Sequence, residues 1–304
     1  MQDRCSDKAC RGPRVTNTYD TPVSSKIWSA WHQGRAAAPA TVRKIFDLWE
    51  QLNPESSFHV VEGEEGSDLV NAEGIDPASL TPQVKANLIR TILLRDRGGV
   101  WVDATLLPTV PLSDWLDPIM NEQDFFAFRS SGDPDLVLQN WFLASRQGGA
   151  IISLWAENYI DYFRRPRRLY WPNKMLRAGP RLPQYLAARR HYQPGRMTWF
   201  VDPEGGRETV FYPYAAHNYQ LSYLLSQNKE LQDTWDEGVS RWSALPLLIG
   251  KLAADKDTPT SNFISMAVEI LSHAPVHKLN YKDPRFLDLV EAAENLAGIS
   301  HVSK

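Results

Sequence analysis

The chain has 304 residues, enough for one large α/β domain or two small ones. Hydrophobic residues make up 43% and charged residues 23%, which is typical of a globular protein and argues against disorder over most of the chain. The formal net charge of -3 argues against a general nucleic-acid-binding protein.

The N-terminal segment, residues 1–22, is polar and is predicted to be a flexible extension. Its cysteines, Cys5 and Cys10, are the only two in the chain and lack the second pair that a zinc ribbon needs, so we interpret them as thiols of a reducing compartment. The segment has no apolar stretch typical of a signal peptide, and no apolar run approaches the roughly 20 residues that span a bilayer. We therefore expect a cytoplasmic protein, either free or peripheral at the inner membrane face.

Strand-like and helix-like segments alternate from residue 23 to residue 145. The helix after Thr81 has the clearest boundaries, because Thr81 can cap it, Pro82 suits its first turn and Gly98-Gly99 ends it. Residues 62–76 are acidic and contain glycine, which predicts a loop or a broken element. In chain order, the pattern predicts strands at 26–28, 58–61, 100–107, 124–128 and 139–144 and helices at 39–52, 81–97 and 150–163.

The remaining part of the chain, residues 146–304, is mostly helical in pattern. The predicted helices are 182–190, 221–231, 240–254, 262–273 and 286–296. The alternation within residues 23–145 predicts an α/β layered sheet. The expected organisation is thus an extension, an α/β core and a helical C-terminal part of the same domain.

A single acid, Asp103, lies at or near the end of an apolar strand. A buried carboxylate needs a partner or a metal, and ligands of α/β sheets gather beyond the carboxyl ends of strands. Asp103 could therefore hold a divalent cation that bridges a diphosphate, or it could be a structural residue bonded to backbone amides. Asn87 and Arg90 share one helix face, from which Arg90 could recognise a phosphate or pair with an acid.

The run from Ala86 to Arg90 and the run from Leu93 to Thr105 together resemble the core motif of the capsular polysaccharide synthesis proteins. These belong with glycosyltransferases of the family 32 type, which include yeast mannosyltransferases and the glucosylating domains of clostridial toxins. Residues 26–34 resemble the opening strand of the same family, so the resemblance covers about residues 26–112. It implies a GT-A fold with a mixed sheet flanked by helices, a nucleotide-sugar donor and retention of anomeric configuration.

The resemblance also assigns roles to residues of this chain. It places Asn87 and Arg90 at the donor sugar, Trp101 near the nucleoside, and Asp103 and Thr105 at the metal and ribose as a DXD-type motif. A late histidine often completes the metal or diphosphate site in related enzymes, which points to His217 and, second, to His277; each could instead be structural. The implied catalytic residues are Arg90, Asn87 and Asp103, the implied nucleotide-binding residues are Ile27, Trp28, Trp31, Arg90, Gly99, Trp101 and Asp103, and the implied metal ligands are Asp103, Thr105 and His217.

Two positions depart from the commoner family pattern. Thr105 stands where a second aspartate is usual, and a hydroxyl is a poor ligand for the expected Mn²⁺ or Mg²⁺. Asn87 replaces an aspartate that would bind sugar hydroxyls. We therefore expect either weak metal binding or a metal site that other residues complete. The alternative to an enzyme is a catalytically degenerate protein.

From Arg164 to Arg196 the chain has ten lysines and arginines and no acidic residue. This basic segment is either a solvated surface or a site for a donor diphosphate, a charged glycan acceptor or an anionic membrane carrying a lipid-linked acceptor. We predict a retaining glycosyltransferase that transfers a hexose from a nucleotide sugar to a surface or capsular polysaccharide. The rival prediction is a non-catalytic sugar-nucleotide-binding or glycan-binding protein of a polysaccharide assembly complex.

Overall fold

The computed structural model describes residues 21–130, 132–175 and 178–296. Cys5, Cys10 and nearly all of the predicted N-terminal extension lie outside the described residues, as does Arg177 of the basic segment. Within the described ranges, no helix is both long enough and apolar enough to span a bilayer.

A six-stranded mixed sheet forms the centre of the described chain, with the strand order β2-β1-β3-β6-β5-β9. Strand β1 pairs in parallel with β2 and β3, whereas β6 pairs antiparallel with β3 and β5. Parallel neighbours need crossover connections, and helices between β1, β2 and β3 provide them. The strands are β1 Lys26–Ala30, β2 Ser57–Val61, β3 Gly99–Val102, β4 Leu106–Pro108, β5 Phe125–Arg129, β6 Leu138–Ser145, β7 Arg168–Leu169, β8 Phe211–Tyr212, β9 Arg241–Trp242 and β10 Val276–Lys278.

Helices cover both faces of this sheet, because its central strands have apolar side chains on both sides. Trp28 and Trp101 point into the core that contains helices α3, α5 and α7, whereas Ile27 and Val100 point into the core that contains α1, α10 and α11. The predicted α/β fold, with a mixed sheet, flanking helices and a mostly helical C-terminal half, is confirmed. The helices are α1 Ala40–Leu52, α2 Gly63–Ala72, α3 Pro82–Arg97, α4 Asp117–Met120, α5 Ala150–Phe163, α6 Leu182–His191, α7 Ala216–Gln227, α8 Lys229–Glu237, α9 Leu248–Leu252, α10 Thr260–Leu271 and α11 Arg285–Leu296.

Residues 62–76 were predicted to be a loop or a broken element, and the loop is wrong, since α2 occupies most of that range and a turn follows it. Glu64 and Glu65 lie in its first turn, where they favour a helix. Gly66 is a packing residue here: a Cβ at this position would lie 2.6 Å from Cδ1 of Ile89 on α3. The glycine that suggested a loop instead lets two helices approach closely.

Three other predicted elements are interrupted. The strand predicted at 100–107 divides into β3 and β4, and the helix predicted at 221–231 divides at Asn228, whose side chain accepts a hydrogen bond from the backbone N–H of Leu231 at 3.0 Å. The helix predicted at 240–254 is replaced by β9 and the short α9. Its first residues instead extend the sheet, where Arg241 pairs with Phe128 of β5.

The turn between α3 and β3 generates a stability prediction. Gly99 has a φ of 105°, and a Cβ there would lie 2.5 Å from the carbonyl oxygen of Lys26. Gly132 has the same φ, but a Cβ there meets nothing within 4 Å in the described structure. We expect Gly99→Ala to lower the free energy of unfolding by more than about 2 kcal/mol and Gly132→Ala by only about 1 kcal/mol. Equal losses in urea denaturation would contradict the close packing at Gly99.

Candidate active site

The chain turns sharply at Asp103, at the carboxyl end of β3. The backbone N–H of Asp103 donates to the carbonyl oxygen of Trp141 at 2.9 Å, and its carbonyl oxygen accepts from the N–H of Leu106 at 2.9 Å. Because these bonds end β3 and begin β4, residues 103–105 form a corner between two buried strands, in which Asp103 and Thr105 are half-buried and Ala104 is buried. The corner brings the side chains of Asp103 and Thr105 to the side of the sheet at which β3 ends.

Three donors surround the carboxylate of Asp103, whose side chain is 24% exposed. Oδ1 accepts from the indole N–H of Trp101 at 3.1 Å and lies 3.2 Å from Nη2 of Arg90, whereas Oδ2 lies 2.8 Å from Nζ of Lys278. Burial alone would raise the pKa of Asp103, but the charges of Lys278 and Arg90 outweigh it and the pKa lies below its usual value. Asp103 is therefore ionised at neutral pH.

Lys278 reaches this corner from the C-terminal part of the chain. Strand β10 pairs antiparallel with β4, so that Lys278 lies opposite Leu106, and the N–H of Leu279 donates to the carbonyl oxygen of Thr105 at 2.9 Å. The ammonium of Lys278 also donates to Oγ1 of Thr105 at 2.8 Å. A single cation thus contacts both side chains of the DXD-type motif, Asp103 and Thr105.

His277, the weaker histidine candidate, lies on the other side of the same strand. Its ring is fully buried, and Nε2 lies 3.0 Å from the carbonyl oxygen of Leu271. Since successive residues of a strand point to opposite faces, His277 packs into the interior and Lys278 faces the site. His277 is therefore a structural residue in this arrangement.

Arg90 lies on α3 and is 5% exposed. Its guanidinium carbon lies 5.0 Å from the centroid of the Trp101 ring, and Nη1 donates to the carbonyl oxygen of Asn140 on β6. Burial lowers the pKa of Arg90, and the charge of Asp103 opposes that shift. The aromatic ring, the carbonyl and the carboxylate hold the guanidinium in one orientation.

Asn87 lies one turn before Arg90 and contacts the same residue of β6. Its Oδ1 accepts from Nδ2 of Asn140 at 3.2 Å, and its Nδ2 donates to the hydroxyl of Tyr159 at 3.4 Å. The structure therefore brings Asn87, Arg90 and Asp103 into one connected cluster. Asn140, which the sequence pattern did not suggest, joins Asn87 to Arg90, and Arg90 contacts Asp103.

His217 lies behind this cluster, in the core. Its ring is fully buried and stacks on Trp155 with centroids 4.0 Å apart, and Nδ1 lies 3.1 Å from Nδ2 of Asn140. Burial and the nearby charge of Arg90 hold the pKa of His217 well below its usual value, so the ring is neutral. The prediction that His217 is a metal ligand does not fit this placement, because the ring contacts Asn140 and Trp155 instead of the corner at residues 103–105.

The residues predicted to contact the nucleotide occupy different environments. Ile27 is fully buried, Trp28 donates from its indole N–H to the carbonyl oxygen of Gly98 at 2.9 Å, and Trp101 packs beneath Arg90. Ile27 points into the core on the opposite face of the sheet from Trp28 and Trp101. Gly99 is the first residue of β3, whereas Asp103 follows its last residue, so the structure does not gather these four residues around Asp103, and their side chains offer no exposed ring face. Trp31 lies beyond the end of β1, where it meets Tyr281 edge to face at 5.4 Å.

Trp31 and Tyr281 thus form an aromatic pair beyond the carboxyl end of β1. Tyr281 is exposed and belongs to the segment that follows Lys278. Its position next to Trp31 depends on the pairing of β10 with β4. Sequence reasoning missed it because no local pattern links two residues so far apart in the chain.

The corner offers a divalent cation few free oxygen ligands in this arrangement. Mg²⁺ and Mn²⁺ favour several oxygen ligands, carboxylates above all, whereas the motif offers one carboxylate and one neutral hydroxyl. Both side chains are already bonded to the ammonium of Lys278. In the described ranges, no group of three or more His, Cys, Asp or Glu side chains is arranged to hold a metal ion.

The basic segment has a mixed character. Arg167 packs its guanidinium on the ring of Tyr162 at 3.4 Å and donates to the carbonyl oxygens of Arg207 and Thr209 at 2.7 and 2.8 Å. It therefore stabilises the local fold. Arg164 and Arg168 are exposed.

Parts of this chain are similar to glycosyltransferases of known name. Glycosyltransferase afumC of Aspergillus fumigatus is 26% identical over 232 residues, which cover 69% of this chain and 56% of that protein. The Initiation-specific alpha-1,6-mannosyltransferase of Candida albicans is 27% identical over 108 residues, which cover 31% of this chain and 27% of that protein. The chain thus spans about half, or about a quarter, of the length of these relatives.

Among solved structures, the ligand-free glycosyltransferase domain from the YGT toxin matches with a TM-score of 0.40 and 8% identity, over 91% of this chain and 99% of that domain. The family model described as "Capsular polysaccharide synthesis protein" matches residues 7–170, which is more than half of the 304 residues. This match confirms the resemblance seen in the two motifs. The chain belongs to the capsular polysaccharide synthesis protein family.

Proposed function

We propose that the chain is a glycosyltransferase that transfers a hexose from a nucleotide-sugar donor to a surface or capsular polysaccharide, with retention of anomeric configuration. The observation that carries the proposal is the charged cluster of Asp103, Arg90 and Lys278 at the carboxyl end of β3, where α/β sheets bind their ligands. Family membership and relatives named as glycosyltransferases support it.

Arg90 is suited to bind the donor at its diphosphate or sugar. Its guanidinium is already oriented by Trp101, Asn140 and Asp103 in a largely buried position. A charge held in place before the reaction needs no reorganisation when negative charge develops on the leaving diphosphate. Arginine also offers several parallel donors, which suits phosphate oxygens.

Asp103 is suited to orient groups and is a poor nucleophile. Its two oxygens already receive three donors, two of them charged, and these lower the reactivity of the carboxylate. We therefore propose that no enzyme-bound glycosyl ester forms. The acceptor hydroxyl would attack the anomeric carbon on the face from which the diphosphate departs, and a leaving phosphate oxygen would take the acceptor proton.

The acceptor is proposed to be a glycan or a lipid-linked glycan. The exposed arginines of the basic segment, Arg164 and Arg168, provide positive charge on a chain that is acidic overall. Such charge attracts an anionic leaflet. We propose a cytoplasmic location with peripheral contact to the membrane through this segment.

One observation favours a second candidate, a non-catalytic protein that binds sugar nucleotides or glycans. Asn87 is a neutral amide, and both ends of its side chain are bonded to Tyr159 and Asn140. It therefore provides no charge for sugar hydroxyls. Turnover of a donor distinguishes the two functions.

The first test replaces the carboxylate of Asp103. Asp103→Asn keeps the shape of the side chain but removes the charge that orients Arg90 and Lys278, so we expect kcat for donor hydrolysis to fall roughly 100-fold or more. Asp114→Asn, on the exposed surface, is the matched control and should retain activity. The measurement is nucleotide release from a panel of sugar nucleotides. Donor binding without turnover for every donor and acceptor would support the second candidate instead.

The second test reverses charges in the basic segment. Arg164→Glu combined with Arg168→Glu should weaken binding to vesicles that contain anionic lipid by at least about tenfold, because each basic residue near such a surface contributes about 1 kcal/mol. Arg167 is left intact because it packs on Tyr162. Lys229→Glu combined with Lys251→Glu, at exposed positions elsewhere, makes the same charge change as a control. Equal vesicle binding by both double variants in a sedimentation assay would indicate that the basic segment is only a solvated surface.

A further inference from the structure

We infer that the ammonium of Lys278 takes the place of a divalent cation at the corner of residues 103–105 and binds the donor diphosphate directly. The inference rests on the proposed function, since it concerns the same site. It is carried by the position of one nitrogen atom, 2.8 Å from Oδ2 of Asp103 and 2.8 Å from Oγ1 of Thr105.

The balance of charge supports this role for Lys278. In the commoner motif, two carboxylates and a divalent cation sum to no net charge. Here the neutral Thr105 stands in place of the second carboxylate, and a single ammonium stands in place of the divalent cation. The charges of Asp103, Thr105 and Lys278 therefore again sum to zero. The loss of one negative charge and the change from a double to a single positive charge compensate each other.

The ammonium is also held in a defined position. Lys278 lies on β10 opposite Leu106 of β4, and the next residue is bonded through its N–H to the carbonyl oxygen of Thr105. Its neighbour His277 is anchored in the core. The lysine stem therefore starts from a fixed backbone, and its charge is pre-organised in the way that favours stabilisation of a developing anion.

The nitrogen still has capacity for a ligand. A lysine ammonium has three N–H donors, and Asp103 and Thr105 accept two of them in the described structure. The side chain is 25% exposed, so the third donor can reach a phosphate oxygen at the edge of the site. Arg90 contacts the other oxygen of Asp103, which places a second cation beside the first.

In the reaction, the bond between the anomeric carbon and the diphosphate oxygen breaks as the bond to the acceptor oxygen forms. The negative charge that appears on the departing diphosphate is neutralised by hydrogen bonds from Lys278 and Arg90. Lys278 keeps its proton throughout, and the acceptor proton leaves with the phosphate. The role is electrostatic and needs no further reactant.

The experiment measures nucleoside diphosphate binding and donor hydrolysis in EDTA and in Mn²⁺. Uridine and guanosine diphosphates are the probes for calorimetry. We expect the wild-type protein to bind one of them equally well in both conditions, and Lys278→Met to weaken that binding at least about tenfold in EDTA, as the loss of a charged hydrogen bond does. Lys278→Arg should restore part of the affinity, and Lys251→Met, at an exposed lysine elsewhere, should change nothing.

A double variant provides the positive test. Lys278→Met combined with Thr105→Asp removes the ammonium and supplies the second carboxylate, so nucleotide binding should become dependent on Mn²⁺. If Lys278 were purely structural, its replacement would alter the thermal midpoint of unfolding but would not alter how nucleotide binding responds to EDTA. Circular dichroism of each variant establishes that it is folded.

The outcomes separate this inference from the proposed function. Wild-type binding that requires Mn²⁺, or binding that Lys278→Met leaves intact in EDTA, overturns the role of Lys278 while the glycosyltransferase proposal stands. No diphosphate binding in either condition also overturns the inference. If nucleoside diphosphate binding in EDTA depends on Lys278 but no donor is turned over, the anion site is supported and the glycosyltransferase proposal is contradicted.

Discussion

The ionised carboxylate of Asp103 is the group on which the site depends. A carboxylate near the end of a buried strand is unfavourable unless opposite charges and donors surround it. Arg90 from α3, Lys278 from β10 and the indole of Trp101 provide them. The same contacts join an early helix, the central strand and a C-terminal strand, so the arrangement that stabilises the charge also assembles the candidate site.

Much of this arrangement follows from local sequence. Thr81, Pro82 and Gly98 delimit α3 through a cap, a first-turn proline and a residue with positive φ, each of which acts within a few positions of its own place in the chain. The spacing of Asn87 and Arg90 placed both on one helix face, and the structure confirms that they meet at Asn140. Such features are predictable because their causes are local.

The parts that were missed depend on distant or subtle contacts. Lys278 is 175 residues from Asp103 along the chain. Strand β10 has only three residues, too few to show the alternation of apolar and polar residues that identifies a strand. The burial of two predicted site residues was also underestimated, since Trp28 is part of the hydrophobic core and His217 packs behind the site. Gly66 illustrates the same difficulty, because a glycine that permits two helices to pack resembles one that permits a turn. In each case, tertiary packing decides what the residue does.

We infer an anion site at the corner of residues 103–105, formed by Lys278 and Arg90, in a family whose resemblance implied a metal. The most direct measurement is a crystal structure of the protein with a nucleoside diphosphate grown in Mn²⁺, with anomalous diffraction recorded at the manganese edge. We expect a phosphate oxygen within hydrogen-bonding distance of Nζ of Lys278, and no anomalous peak at Asp103. A manganese ion bound to Asp103, with the ammonium of Lys278 displaced from the carboxylate, would contradict the account.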